Sequence, residues 1–201
     1  MNILKLQQRK PARLGHKKAR KNKLGKMEAE GQLNLFPRSS PKIISLTDKS
    51  GLFEQALLYD ESGNSKARKA YLEAIENNDR KADALCNLGI LEAKDGQDIK
   101  AIDCFSKALI EDPRHFEAHF NLANIYFDNE NYSLACLHYK TALEIEADDA
   151  NTYFNLGLVQ VLQGNVKEAI DSLSTYSKMV GTKDAAKAID LVNQLSNTTK
   201  K

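Results

Sequence analysis

Between residues 48 and 181 the apolar positions recur with a helical period, and the whole pattern then repeats. Ala67, Ala101, Ala135 and Ala169 stand 34 residues apart. Behind them, in step, come Tyr71, Phe105, Tyr139 and Leu173, then Ala74, Ala108, Ala142 and Tyr176. Positions i, i+4 and i+7 share one face of a helix. Small alanines there let helices approach closely, and the aromatic fills the space between them. An earlier helix precedes each row. Its apolar slots hold Leu85, Leu88, Gly89 and Glu92 in one unit, and His119, Leu122, Ala123 and Tyr126 in the next. Tyr153, Leu156, Gly157 and Gln160 follow. The first unit offers Leu52, Ala56 and Tyr59, displaced by one residue, with a shorter turn at Ser62-Gly63-Asn64. Gly96 and Gly164 stand where a hairpin must turn, since glycine tolerates positive φ. Pro113 closes one unit, because proline does not continue a helix.

A 34-residue period is the mark of a stacked two-helix repeat. Four units are expected, near 48–81, 82–115, 116–149 and 150–181. Residues 184–197 predict one more helix, with Asp184 as its N-cap and Ala185, Ile189, Val192 and Leu195 as its apolar face. A final repeat exposes a hydrophobic side, which a single amphipathic helix covers.

Charge divides the chain. Residues 1–26 hold ten Lys or Arg and no acid. The remaining 175 residues carry 19 basic and 27 acidic groups, a net of −8, although the whole chain stands at +2. Residues 1–30 are polar and like-charged, and a disordered basic tail is expected there. Residues 31–47, with Pro37 and Pro41 between two short apolar runs, predict a linker. No apolar run reaches the roughly 18 residues needed to cross a membrane, and the start lacks a secretory pattern. A cytoplasmic protein is expected. Cys86, Cys104 and Cys136 form no CxxC pair, so buried thiols are expected rather than disulfides or zinc ligands.

The pattern resembles the tetratricopeptide repeat (TPR) family. Leu88, Gly89, Ala101, Phe105, Ala108 and Pro113 carry the resemblance in the best unit, which recurs in register over residues 48–181. The family's tryptophan-type slot holds Leu52, Leu85, His119 and Tyr153 instead, and its proline slot holds Asp79, Ala147 and Gly181 in the other units. The resemblance implies an all-α, right-handed superhelix of about four helix-turn-helix repeats with a C-terminal capping helix.

Asn87, Asn121 and Asn155 also recur every 34 residues. Each lies two places after the first core slot, about 160–200° round the helix from it. They are therefore expected to stand off the buried stripe, on the row that lines a concave groove in TPR folds. Asp83, Glu117 and Asn151 share that row, as do Ile90, Asn124 and Leu158, and Lys94, Asp128 and Leu162. An asparagine amide donates twice and accepts through its oxygen. Three in phase would pair with the backbone of an extended peptide, as in the asparagine ladder of a TPR groove. Phe120, Phe127 and Phe154 flank the row and would add apolar contact, or pack between repeats. Acidic side chains occupy slots where a clamp for carboxylate-ended peptides needs cations, so that clamp is not expected.

The function expected is a non-catalytic protein-interaction scaffold binding a peptide segment, with no cofactor, no metal and no small-molecule substrate. His115, Glu117 and His119 miss the spacing of a zinc-binding helix. No nucleophile–base pairing and no phosphate-binding loop is visible. Two other readings remain: a nucleic-acid or ribosome adaptor using Arg9, Lys10, Arg13, Lys17, Lys18, Arg20 and Lys21, or an accessory subunit of an enzyme complex.

Overall fold

The computed structural model describes residues 51–198. The basic tail and the linker lie outside the described residues. The described residues form α1 Leu52–Glu61, α2 Ala67–Glu76, α3 Lys81–Lys94, α4 Asp98–Glu111, α5 Phe116–Asp128, α6 Tyr132–Ile145, α7 Ala150–Leu162, α8 Val166–Met179 and α9 Thr182–Thr198. Each helix packs on the next, and α3 also touches α5, two elements on. The chain is thus a right-handed superhelix of four hairpins (α1–α2, α3–α4, α5–α6, α7–α8), closed by α9.

The second helix of each hairpin is buried along one stripe. In α4 that stripe is Ala101, Cys104, Phe105 and Ala108, and in α6 it is Ala135, Cys136, Tyr139 and Ala142. The opposite face meets water, which leaves Ile99 and Ile110 of α4 exposed. The first helix is different. α5 packs against α3, α4 and α6 at once. Nine of its 13 residues are buried as a result.

Glycine sits where the two helices of a hairpin come closest. A Cβ on Gly89 would lie 2.7 Å from the Phe105 ring, and one on Gly157 would lie 2.6 Å from Leu173. Both distances are below normal contact, so a larger residue there overpacks the core. Hairpin turns use positive φ at Gly63, Gly96 and Gly164. The third hairpin puts Glu130 in that conformation, with φ 59°.

Two register expectations change. In α1 the buried residues are Phe53, Ala56, Leu57 and Asp60, whereas Leu52 and Tyr59 are only partly buried. Buried Asp60 is tolerable because Tyr71 donates a hydrogen bond to its Oδ2 at 3.1 Å. In α9, Asp184 lies inside the first turn rather than at the cap, since the helix begins at Thr182. Its carboxylate still complements the helix dipole. The buried face of α9 is Ala185, Ala188, Leu191 and Leu195, while Ile189 is 45% exposed. Two alanines on that face let α9 lie close on α8, which a face carrying Ile189 would not allow.

All three cysteines are buried and none is in a disulfide. No described helix is long and apolar enough to cross a membrane.

Left-handed backbone costs an ordinary L-residue about 1–2 kcal/mol, part of which glycine returns as unfolded-state entropy. Glu130→Gly is therefore expected to raise Tm by about 2 °C. A melt followed by circular dichroism that shows no gain, or a loss, would contradict this.

Candidate functional site

The three periodic asparagines are buried. Asn87 and Asn155 are 0% exposed and Asn121 is 6% exposed. The expectation that they stand off the buried stripe is therefore corrected. A first helix is covered on several sides by its neighbours, so a half-turn away from its own core slot is still interior. Their surroundings differ from repeat to repeat. Asn87 faces the Tyr71 hydroxyl. Burial, and then the Asp60 carboxylate, hold that hydroxyl well above the usual tyrosine range, so it remains a donor. Asn155 donates to Asn124 Oδ1 at 3.3 Å, and the Tyr139 hydroxyl donates to the same oxygen at 2.6 Å. Between these lies Asn121, whose preceding aromatic is Phe105 and carries no hydroxyl. It bonds instead to the Glu117 carbonyl of its own helix, at 2.8 Å. Tyr71 thus meets an asparagine one repeat on, whereas Tyr139 bonds to Asn124 of its own hairpin, and it is Asn124 that Asn155 of the next repeat reaches.

Around them the other groove positions divide. Asn151 and Asp128 are exposed, and Glu117 is half-buried. Phe120 is fully buried, edge-on to Tyr139 at 5.8 Å and stacked on Phe116 at 6.1 Å. Phe127 is buried too, edge-on to Tyr132 at 6.0 Å. Phe154 is partly buried and tilts against Tyr176 at 5.0 Å. Leu158 is buried in the same cluster. These four act first as packing between helices.

Openings among the described residues include a niche and a cleft. One is a small niche of about 60 Å³ between α3 and α5, lined by Ile90, Ala93, Lys94, Phe105, Asn121, Asn124 and Ile125. The other is an open, polar cleft of about 610 Å³ at the loops between repeats. Arg80, Asp112, Arg114, Glu117, Glu146 and Asp148 supply its charges. Glu117, Asn121, Asn124 and Asp128 lie about one or two turns apart along α5. They trace a single stripe from the cleft to the niche.

A polar chain ties the loop edge together. Arg80 lies over the Phe53 ring at 4.3 Å and pairs with Asp83 at 2.6 Å. His115 Nε2 donates to Asp83 Oδ1 at 3.1 Å. Its Nδ1 accepts from the Ala118 amide at 3.3 Å, so the imidazole caps α5. Phe53, Arg80, Asp83 and His115 thereby join three consecutive repeats. Sequence reasoning placed His115 only at a loop boundary. Its role as a cap depends on Asp83, 32 residues earlier, fixing the tautomer. Arg68 similarly bridges Glu92 and Asp95, at 2.5 Å to the latter, which explains a buried glutamate in an apolar slot.

His119 and His138 face each other, Nδ1 to Nδ1, at 2.9 Å. His119 Nε2–H donates to the Pro113 carbonyl at 3.2 Å, which leaves its Nδ1 to accept from His138. The arrangement requires His119 to be neutral and His138 to carry a proton on Nδ1. Burial, then the neighbouring His119, lowers the His138 pKa to about 4. Burial also lowers His119, against the raising effect of the Pro113 carbonyl. Tyr126 stacks on His138 at 5.6 Å. Among the described residues no group of three or more His, Cys, Asp or Glu is placed to hold a metal ion.

Comparison with known proteins agrees with this geometry. A family model described as "TPR repeat" matches residues 123–164, and one described as "Tetratricopeptide repeat" matches residues 104–136. No curated protein matches the chain. Among solved structures, a "Crystal structure of MamA protein" superposes with a TM-score of 0.63 at 21% identity, covering 73% of this chain and 81% of that one. The "First TPR of Spaghetti (RPAP3) bound to HSP90 peptide SRMEEVD" superposes with a TM-score of 0.54 at 20% identity, over 61% and 98% of the two chains. The first TPR domain of human RPAP3, determined by NMR, gives 0.53 at 20% identity over 59% and 94%. At these identities the likeness is one of fold.

The histidine pair sets a pH dependence. Unfolded histidine titrates near 6.5, and folded His138 near 4. Between these values the unfolded chain binds the proton and the folded chain does not. Stability is therefore full above pH 6.5 and falls as pH drops towards 4, by about 1–2 kcal/mol once solvent screening is allowed for. His138→Phe keeps the ring on Tyr126 and removes the titration. Its Tm is expected to fall less than that of the unaltered chain between pH 6.5 and 4.5; parallel Tm curves would reject this cause.

Proposed function

We propose that this chain, a tetratricopeptide-repeat protein, is a non-catalytic interaction module that holds an extended polypeptide segment along α3, α5 and α7. The observation that carries the reading is the stripe on α5. Glu117, Asn121, Asn124 and Asp128 run from an open cleft to a niche floored by apolar side chains. The path from Glu117 to Asn124 is seven residues of helix, about 10 Å, the length of three extended residues. Asp128, one turn beyond Asn124, and Asn151, on α7, are both exposed. Partly buried Phe154 borders the path, while Phe120 and Leu158 pack between the helices beneath. Asn87 and Asn155 support it from behind by contacts to the preceding repeat. The first TPR of RPAP3, similar in fold, is bound to the HSP90 peptide SRMEEVD. That peptide is acidic, and Asp83, Glu117 and Asp128 make such a partner a poor match here.

Affinity therefore depends on apolar burial. One to three backbone hydrogen bonds supply only about 0.5–1.5 kcal/mol each, whereas a micromolar complex needs about 8 kcal/mol. The experiment is affinity capture from the native cell by the full chain, read by mass spectrometry. A chain carrying Asp128→Arg and Asn151→Arg, both at exposed positions, is expected to lose at least about tenfold of the captured partner at unchanged Tm. Equal recovery by both chains would refute the groove reading.

A second reading rests on the charge split. Arg9, Lys10, Arg13, Lys17, Lys18, Arg20 and Lys21 belong to a segment with ten cations and no acid, outside the described residues. Such a segment suits nucleic acid or ribosomal RNA, with a steep salt dependence. A gel shift on RNA and on duplex DNA is expected to favour the full chain over a chain starting at Gly31. Equal affinity would remove the idea.

A further inference from the structure

The two ends of the stack are finished differently. At one end α9 covers α8 with Ala185, Ala188, Leu191 and Leu195, and leaves Lys187, Asp190 and Asn193 in solvent. At the other end α1 packs on α2, and no helix precedes it among the described residues. Every later first helix packs also on the second helix of the preceding hairpin. The slot of Leu58 is held there by Leu91, Ile125 and Val159. Ile125 and Val159 are buried and Leu91 is partly buried, whereas Leu58 is 61% exposed. Gln55, also exposed, has a polar side chain suited to an edge that meets water. Leu58 keeps the apolar character of a covered slot. The cover it needs is therefore narrow, the width of a short segment rather than of a hairpin, and the end of a solenoid is where a cap belongs.

The chain outside the described residues arrives at the start of α1. The Gly51 amide donates to Glu54 Oε2 at 2.7 Å, and the Phe53 amide donates to Asp79 Oδ2 at 3.0 Å, which fixes the point of arrival. Leu46 stands five residues before Gly51, with Ile43 and Ile44 just ahead of it. Five extended residues span about 17 Å, and Leu52 to Leu58 is about 9 Å of helix, so the segment reaches. Asp48, Ser50 and Gly51 are residue types that favour a reversal of the chain. Charge agrees. Glu54 and Glu61 are exposed on α1, and Lys42 and Lys49 flank the apolar run. A second copy would bring the same two glutamates against each other, and like charges oppose that pairing.

We propose that Ile43, Ile44 and Leu46 seat on the outer face of α1 against Leu58, and cap this end of the stack as α9 caps the other. The short tether holds the segment at an effective concentration in the millimolar range, so a weak contact is enough to keep it in place. The face is thus filled by the chain itself rather than offered to a partner. The proposal is independent of the groove along α3, α5 and α7.

The test uses the full chain labelled at its Ile and Leu methyl groups. Nuclear Overhauser contacts are expected between the Leu58 methyls and those of Ile43, Ile44 or Leu46, and they are expected to survive dilution. A chain carrying Ile43→Ser, Ile44→Ser and Leu46→Ser is expected to exchange its α1 amide hydrogens about tenfold faster, while the amides of α7 keep their rate and report an intact array. Leu58→Ser, at a position already exposed, is expected to have the same effect. All four substitutions together are expected to add little to either, because both remove one contact. Absence of contacts at Leu58 would overturn the proposal, as would α1 exchange that ignores the three serines. Fully additive effects would overturn it too. Contacts that appear only between differently labelled chains in a mixture would make a second copy the occupant, and would equally reject the intrachain cap.

Discussion

The close approach of two helices within each hairpin governs this molecule. Gly89 lies under the Phe105 ring and Gly157 under Leu173, with no space for even a methyl group. Ala123 takes the equivalent place in the third hairpin, within the same buried cluster as Tyr139. Small residue against large residue sets the spacing of every hairpin. Because that spacing repeats, the hairpins stack in one direction and accumulate into a superhelix. A bulky residue at Gly89 or Gly157 would act on the whole array, since each hairpin contacts chiefly its neighbours.

Polar contacts do a different task, which is to set register between repeats. The Asn124 oxygen on α5 accepts both from the Tyr139 hydroxyl of its own hairpin and from the Asn155 amide of the following first helix. At the loop edge Arg80, Asp83 and His115 connect three repeats. Buried polar groups are costly unless they are paired, so misaligned repeats would leave several of them stranded. Apolar packing supplies the affinity between hairpins, and these pairs define which alignment it adopts. The exception is the free end of the Asn124 amide.

Much of the fold was legible because it is local and repeated. The alanine–aromatic–alanine row states a helix face by itself, and its recurrence states the stacking. The site was legible only in part. The asparagines were visible as a periodic set, yet their distance from the core slot was taken for exposure. That inference holds for a helix packed on one side, as α4 and α6 are, and fails for α5, which is packed on three. Glu130 was missed for a related reason: glycine announces a turn, whereas a glutamate forced into the same conformation does not. The α9 face was displaced because Ala188 and Leu191 fit against α8 better than the more hydrophobic Ile189.

The order of the residues alone determined the helical hairpin, its 34-residue repeat and the charge imbalance between the first 26 residues and the rest, since each depends on neighbours along the chain. The tertiary structure decided which faces reach solvent, which histidine must stay neutral and which amide keeps an open donor. Those properties arise from surfaces brought together across 15 to 34 positions of chain. Exposure is a property of the packed neighbourhood, and a helix cannot announce how many sides will be covered.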